Sequence, residues 1–336
     1  MNTESERSVE QLLKLAGERE TPPAAGMERA RLAAHESWQR VLRERPARPR
    51  RWLKVSIALA AAAGGLWFAL LRFHPVATPP PQQVARVIAL TGGAVLHDVA
   101  GDTVLFTAGD VFAGSTVETT NGRVALSLGG AMSLGGAMSL RLDRHTRLRF
   151  DAAQRVTLLA GTLYVDSGGI NAVGGLRIET PAGAVRHVGT QFQVFVAGAD
   201  TRVRVREGRV LFTSGDSSAP RDVVAGEELR IAGGRADFRR GLPASGADWE
   251  WCASIAPPFD IEGRPLAEFL AWAAREHGWQ LRYTNSALQQ RTYEIRLHGA
   301  LGQSSADAMV ERVSLITGVP LRARDGVLWV GPGVPQ

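Results

Sequence analysis

Residues 191–213 read QFQVFVAGADTRVRVREGRVLFT, and apolar and polar residues alternate along most of this stretch. Because successive side chains of a β-strand point to opposite faces, the alternation predicts two strands, each with one buried face. The residues predicted to point inward are Phe192, Val194, Val196, Val203 and Val205. Those predicted to point outward on the second strand are Arg202, Arg204 and Arg206. This arginine row is either a solvated face or a surface that grips an acidic partner.

The stretch belongs to a longer region, residues 84–240, with the pattern of many short strands. Gly, Asp, Asn and Ser interrupt the pattern every ~8–12 residues, which is typical of sandwiches, jelly rolls and β-solenoids. We therefore predict an all-β domain over 84–240, jelly-roll or solenoid-like, in which Glu207-Gly208 forms a hairpin. The hexapeptide SLGGAM occurs twice, from Ser127 to Met138. An even insertion preserves the alternation of the flanking strands, so we expect it either to lengthen a hairpin or to add a bulge.

Residues 250–332 have a different pattern, which predicts a small α+β domain. Apolar residues at helical spacing begin at Leu266, and Gly278 is placed to end that helix. Alternating residues predict strands over 279–283 and 293–297, and a second helix is predicted to end at Gly318. Asp325-Gly326 between two short apolar runs predicts a closing hairpin.

Residues 55–71, VSIALAAAAGGLWFALL, contain no charged residue. About 17–25 apolar residues suffice to cross a membrane as a helix, so we predict one transmembrane helix over 53–72. Seven bases and one acid lie between Arg40 and Lys54, which places the N-terminus in the cytoplasm. Residues 73–83 then form a Pro-rich spacer. A buried core helix is the alternative, whereas a cleaved signal peptide disagrees with the long charged segment that precedes the run.

Residues 1–50 are predicted to be a short α-helical cytoplasmic segment with two helices, the second from Met27 to Arg45. The second helix carries an apolar stripe. Its members are Met27, Ala30, Ala34, Trp38, Val41 and Leu42. So short a segment buries little surface by itself. The stripe therefore predicts either a weak helical hairpin or a docking face for another protein, with Ala34, Trp38, Val41 and Leu42 as the contact residues.

Composition limits the possible functions. Net charge is +6, and the segment from Arg40 to Lys54 alone supplies +6, so the basicity indicates membrane topology and no direct binding of nucleic acid. The single cysteine, Cys252, excludes an intrachain disulfide. The seven histidines lie far apart, and no phosphate-binding loop, dinucleotide fingerprint or nucleophile elbow occurs. We expect no catalytic site, no cofactor and no metal.

Three segments in order form a composite motif: 180–194 (TPAGAVRHVGTQFQV), 203–210 (VRVREGRV) and 225–227 (AGE). This combination, within residues 84–240, resembles the core signature of the FecR family, whose members are single-pass inner-membrane regulators of extracytoplasmic-function sigma factors. The matching residues are Thr180, Pro181, Gly183, Gly189, Thr190, Phe192, Val194, Glu207 and Gly208. All of them are interpreted as structural, so the motif predicts a scaffold and no reaction.

The last domain, residues 259–330, is similar to the small signalling domain of secretins and TonB-dependent transducers, with 263–270 (GRPLAEFL) as its helix start. Together the resemblances imply an inner-membrane protein with a cytoplasmic N-terminus and a periplasmic C-terminus. The implied partners are a cytoplasmic extracytoplasmic-function sigma factor, held in anti-sigma fashion, and the periplasmic signalling domain of an outer-membrane TonB-dependent transducer of the iron or siderophore type. Alternatives are an envelope assembly protein bound to a secretin or a cell-wall polymer, and a periplasmic hydrolase with a clustered acid–base site.

Overall fold

The structure is a computed structural model. It describes residues 24–43, 82–105, 108–128, 138–168, 175–215, 219–257, 259–299 and 306–333. The predicted transmembrane helix over 53–72 and most of the spacer over 73–83 lie outside these residues, as does the first predicted helix of the N-terminal segment. Among the described residues, no helix combines the length and the apolar character that crossing a membrane requires.

The chain divides into two compact units, Met1–Ala77 and Thr78–Gln336. In the first unit the described element is helix α1, Ala24–Arg43, which is 20 residues long. The predicted span of Met27 to Arg45 agrees with it to within three residues at each end. A helix of this length extends ~30 Å and has marginal stability in water unless it packs against something else.

The second unit begins with a β domain of fifteen strands, which form one connected sheet. Its strands are β1 Gln83–Thr91, β2 Ala94–Asp98, β3 Gly101–Leu105, β4 Asp110–Phe112, β5 Thr116–Thr119, β6 Arg123–Leu128, β7 Met138–Leu142, β8 Arg147–Ala152, β9 Arg155–Asp166, β10 Arg177–Thr180, β11 Gly183–Ala197, β12 Asp200–Ser214, β13 Arg221–Val224, β14 Glu228–Ala232 and β15 Arg235–Arg239. The main path is β15-β14-β12-β11-β10-β9-β7-β6-β1-β4. The pairings are antiparallel except between β9 and β10, which favours a jelly-roll or sandwich over a solenoid.

Inward-facing side chains from nearly all of these strands form one contiguous buried cluster, so the sheet curls over itself to enclose a core. The predicted alternation of the opening stretch is confirmed on this side. Phe192, Val194 and Val203 have no exposed surface, and Val205 is 1% exposed. The predicted all-β domain over 84–240 is thus a β-rich body with a single apolar centre.

The longest strands bend at glycines and change partners there. Residues 201–204 of β12 pair with β14, whereas residues 209–212 pair with β13. Gly208 lies between the two halves with φ +75°, and a Cβ at this position would be 2.4 Å from the carbonyl oxygen of Gly189. The prediction that Glu207-Gly208 forms a hairpin is therefore wrong. The pair forms a bulge inside one continuous strand, and such bends let a strand pass from one layer to the other.

The hexapeptide repeat lies between two strands that pair antiparallel, with Leu128 opposite Met138. The predicted hairpin is therefore confirmed at its base. Residues 129–137 lie outside the described part of the chain. Because Leu126 and Leu140 are both fully buried, the alternation is intact on each side of the repeat.

The C-terminal part, which we call the α+β unit, follows the β domain. Its elements are α2 Ala247–Ala253, α3 Leu266–His277, β16 Gln280–Tyr283, α4 Ser286–Glu294, α5 Ala306–Thr317, β17 Leu321–Arg324 and β18 Val327–Val330. The strand order is β16-β18-β17, with β16 parallel to β18. Gly278 ends α3 in the left-handed conformation, as its position predicts. Phe269, Leu270 and Val313 lie in the small core of this unit.

One strand predicted for this unit is wrong, and helices α2 and α4 were not predicted. No strand forms over 293–297: residues 293 and 294 are the end of α4, and the next three residues are irregular apart from one isolated bridge. The Asn285 side chain accepts a hydrogen bond from the Leu288 backbone N–H at 2.7 Å and caps the start of α4. Tyr293 is consequently 57% exposed on that helix, and Arg296 forms only an isolated bridge with Pro265. Helix α2 was not predicted at all, although two of its tryptophans stand out in the sequence.

Candidate functional site

Helix α1 displays the apolar stripe on its surface. Of its members, Met27 is 59% exposed and Trp38 63%, and Ala30 and Ala34 are also exposed. The side chains of Val41 and Leu42 lie outside the described part of the chain. A large aromatic residue on the exposed face of an amphipathic helix is typical of a helix that binds in the groove of a partner. Of the four predicted contact residues, Ala34 and Trp38 are thus exposed on α1.

The TP-x-G part of the motif forms the two-residue turn between β10 and β11. Thr180 Oγ1 donates to the Gly183 carbonyl oxygen at 2.7 Å, and Pro181 occupies the turn. Gly183 has φ +145°, and an added Cβ would lie 2.2 Å from the carbonyl oxygen of Thr213. Only glycine allows β12 to approach the turn this closely. Thr180 and Gly183 thus shape the turn between β10 and β11.

The second part of the motif shapes the bend of β11 and β12. Gly189 has φ +63° and faces Gly208 across the hairpin. The backbone N–H of Thr190 donates to Ser167 Oγ at 2.8 Å, so the bend is tied to the end of β9. Glu207 differs from the other motif residues because its side chain is 59% exposed, and it forms an ion pair with Arg275 of α3 at 3.1 Å.

The arginine row that was predicted to point outward is largely buried. Arg204 is 9% exposed and Arg206 5%, because the segment around α2 and the end of α3 cover this face of β12. Arg202 is half-buried, and its guanidinium lies over the Phe195 ring, 4.9 Å from the centroid. The interpretation of the row as a solvated face is therefore wrong for Arg204 and Arg206, and neither is free to grip another protein.

Both buried arginines have partners within the chain. Arg204 forms ion pairs with Glu228 at 2.7 Å and with Asp248 of α2 at 2.6 Å. Arg206 lies over the Trp249 ring at 5.0 Å and donates from Nη1 to the Glu276 carbonyl oxygen at 3.0 Å. Buried guanidinium groups need this kind of compensation, since removing a charge from water is costly.

A third arginine completes what we call the buried interface, the contact of Arg141, Tyr164 and Arg206 with Trp249 and Glu276. Arg141 Nη1 donates to Glu276 Oε2 at 2.6 Å, and Nη2 donates to Oε1 at 2.9 Å. Burial alone would lower the pKa of Arg141, but the charge and hydrogen bonds of Glu276 outweigh it and raise that pKa. The pair is a bidentate, fully buried bridge between β7 and α3.

Aromatic packing surrounds this bridge. The Arg141 guanidinium lies 5.1 Å from the Tyr164 ring centroid, and Tyr164 meets Trp249 edge-on at 6.2 Å. Burial raises the pKa of the Tyr164 hydroxyl well above its ordinary value. Trp251 donates from its indole N–H to Gln193 Oε1 at 3.1 Å. The α+β unit therefore docks on the β domain through large rings and paired charges together.

A second ionic contact lies beside the buried interface. Arg275 of α3 pairs with Asp166 at the end of β9, and Gln191 donates to the same carboxylate at 2.9 Å. Burial would raise the pKa of Asp166, but the hydrogen bond and the charge of Arg275 prevail and lower it. Asp166 is therefore an ionised anchor for α3 at neutral pH.

The single cysteine of the chain, Cys252, packs beside Tyr164 and Trp249. Burial raises the pKa of the Cys252 thiol to about 11, so it is protonated at neutral pH and is a poor nucleophile. Among the described residues, no cluster of His, Cys, Asp or Glu could hold a metal ion. Sequence reasoning missed Arg141, Tyr164 and Glu276. The only signal was an arginine in the apolar run Met138–Leu142, where alternation predicts an exposed side chain.

Comparisons with known proteins find one family model and similar solved structures. Residues 115–211 match the model of the family described as FecR protein. No curated protein matches the chain. Two crystal structures of a "putative anti-sigma factor" from Parabacteroides distasonis ATCC 8503, at 1.65 and 2.50 Å, are similar to it. Each is 12% identical and covers 65% of this chain and 99% of its own, with TM-scores of 0.33 and 0.30.

Proposed function

We propose that this protein regulates the activity of a sigma factor. The observation that carries the proposal is the match of residues 115–211 to the FecR family, in the part of the β domain that holds the turn at Gly183, the bend at Gly189 and the ion pair of Glu207. These residues build a scaffold, so the output must come from another surface of the chain.

Helix α1 is our candidate for the output surface. Its stripe offers Ala34 and the 63% exposed Trp38 to a partner, and residues 24–43 are long enough to fill a groove of ~30 Å. A partner that covers the stripe would supply the packing that an isolated helix lacks. We assign this partner as an extracytoplasmic-function sigma factor, held in anti-sigma fashion.

The input side of the proposal is the second compact unit, Thr78–Gln336. We assign residues 53–72, which precede this unit in the chain, as the membrane crossing and place the C-terminus in the periplasm. Its support is the uncharged run over 55–71 and the basic flank before it. We assign the input partner as the periplasmic signalling domain of an outer-membrane TonB-dependent transducer. The pattern over 259–330 supports a transducer-type fold for the α+β unit.

The buried interface limits how a signal can act. A partner transmits information only if it binds one state of the protein better than another. Because Glu276 and Arg275 both bridge α3 to the β domain, a partner that binds the α+β unit also acts on the β domain. When a partner binds, the α+β unit and the β domain would therefore either move together or separate by breaking the ion pairs of Arg275 and Glu276.

Site-specific photocrosslinking in living cells tests the proposal. A photoreactive amino acid replaces Ala34 in the full chain, and the matched control replaces Glu36, which lies ~200° around the helix from Ala34. We expect the Ala34 position to capture a sigma factor, identified by mass spectrometry, and the Glu36 position to capture little. Equal capture from both faces, or capture of other proteins only, would contradict the proposal.

A further inference from the structure

Three arginines lie side by side on neighbouring strands of the β domain. Arg177 of β10 is directly opposite Arg155 of β9 on one side and Arg186 of β11 on the other. Neighbouring strands are ~4.8 Å apart, and like charges directly opposite each other destabilise a sheet. Arg177 pairs with Glu179 on its own strand. The other two form no side-chain hydrogen bond or ion pair with any described residue, so the fold itself does not explain the row.

The next row on the same face adds a fourth arginine between two aliphatic residues. Val188, Arg209 and Val224 lie opposite one another across β11, β12 and β13. Val188 is 38% exposed and Val224 41%. Arg209 is exposed and likewise has no side-chain partner among the described residues. We call these two rows, Arg155, Arg177, Arg186, Val188, Arg209 and Val224, the outer arginine face.

The charge of the outer arginine face is positive. On the paired segments of β9 to β13 that carry the two rows, four outward arginines stand against two outward carboxylates, Glu179 and Asp222, which leaves +2. Beside them on β8, Arg149 and Asp151 pair with each other and add no net charge. Asp222 lies opposite Leu211 and not opposite an arginine. We propose that this face binds the anionic surface of a phospholipid bilayer, with its arginines at the phosphate groups.

The mixture of residues selects a bilayer over an acidic protein. Guanidinium groups bind phosphate oxygens in a bidentate manner, and their aliphatic stems lie along apolar surroundings. The headgroup region of a bilayer accepts both the charges and the exposed side chains of Val188 and Val224. An acidic polypeptide would pair with the arginines but would leave the valines without a role. This binding is additional to the proposed regulation of a sigma factor and does not depend on it.

The expected size of the effect follows from surface electrostatics. Each basic residue near an anionic membrane changes partitioning by about fivefold, so loss of the three unpaired arginines should reduce it by about 100-fold. Binding of this kind also weakens with ionic strength, because the charges lie at an exposed surface.

A probe on the face itself measures the binding. The full chain carries Val188→Cys labelled with an environment-sensitive fluorophore, since the native Cys252 is fully buried. It is reconstituted with zwitterionic vesicles or with vesicles that contain ~30% anionic phospholipid. Both vesicle types carry the same lipid with a quencher on its headgroup. We expect anionic vesicles to quench the fluorophore about tenfold or more strongly than zwitterionic vesicles do. We also expect about 0.5 M salt to reverse this quenching. The readout is local, so it does not depend on whether residues 53–72 anchor the chain.

Charge-matched variants give the decisive comparison. Arg155→Gln/Arg186→Gln/Arg209→Gln should abolish the quenching. Arg144→Gln/Arg291→Gln/Arg322→Gln, which removes three exposed arginines elsewhere, should retain it. Equal quenching with both vesicle types, or equal loss in both variants, would overturn the proposal. So would a probe response to poly-L-glutamate without a response to anionic lipid, because the face would then recognise an acidic protein.

Discussion

Two sets of arginines lie on the same hairpin of β11 and β12 and have opposite surroundings. Arg204 and Arg206 are buried under α2 and α3, where Glu228, Asp248 and Trp249 compensate their charges. Arg186 and Arg209, on the other side of the bend at Gly208, are exposed and have no described side-chain partner. The two sets are alike in sequence, each with arginines between apolar residues. Alternation determines the face on which a side chain lies, but not what covers that face.

The largest loss of unfolding free energy should come from removing one partner of the Arg141–Glu276 ion pair in the buried interface. Glu276→Ala leaves the Arg141 guanidinium buried without its carboxylate, at 1% side-chain exposure. Removing one partner of a buried ion pair typically costs ~3–5 kcal/mol of unfolding free energy. Urea denaturation of the full chain, followed by tryptophan fluorescence, measures this change because Trp249 and Trp251 lie at the interface.

The double variant Arg141→Leu/Glu276→Leu is the control for that experiment. Replacement of both partners by apolar residues is often neutral or stabilising, so much of the lost stability should return. If the single and double variants were equally unstable, packing volume and not the unpaired charge would determine the loss.

A smaller effect should come from the bend that separates the two sets. Gly208→Ala forces a Cβ against the Gly189 carbonyl oxygen in a left-handed conformation, and we expect a loss of ~1–3 kcal/mol of unfolding free energy. Gly233→Ala is the matched control, since Gly233 has φ +55° but open space around it. A loss no greater than in the control would show that close approach at the bend is unimportant.

The Asp166 contact predicts a pH dependence. Arg275 lowers the folded-state pKa of Asp166 below its ordinary value of 3.8. The stabilisation is therefore complete above the unfolded pKa and is lost as the pH falls through the folded pKa, since the unfolded state takes up the proton first. Between pH 7 and pH 3, Asp166→Asn should lose less stability than the wild type. Parallel pH profiles in urea denaturation would refute the role of this pair.

The smallest effect on folding should come from the exposed set. Arg155→Gln/Arg186→Gln should change the unfolding free energy by less than ~0.5 kcal/mol, or raise it slightly, because it relieves repulsion between exposed like charges. Arg204→Gln, by contrast, leaves Glu228 buried with its closest guanidinium removed and should be clearly destabilising. Similar losses of unfolding free energy in Arg155→Gln/Arg186→Gln and in Arg204→Gln would contradict the distinction between exposed and buried arginines.

Local patterns predicted the parts of the fold that local chemistry determines. The inward faces at Phe192 and Val203 and the end of α3 at Gly278 were predictable because alternation and glycine conformation are properties of a few neighbouring residues. Long-range contacts were not. Burial of Arg141 depends on α3, 135 residues away, and the arginine within Met138–Leu142 is a signal that alternation alone interprets as an exposed side chain. Glu207-Gly208 looked like a turn because a bulge and a hairpin use the same residues.

The affinity of the full chain for the sigma factor captured from α1 tests the functional account most directly. Trp38→Ala should weaken binding by ~1–3 kcal/mol, about 5- to 150-fold in Kd, because exposed aromatic anchors dominate helix-in-groove interfaces. Glu36→Ala, on the opposite face of α1, should change it little. Unchanged binding in Trp38→Ala, or an equal loss in both variants, would contradict the assignment of α1 as the output surface.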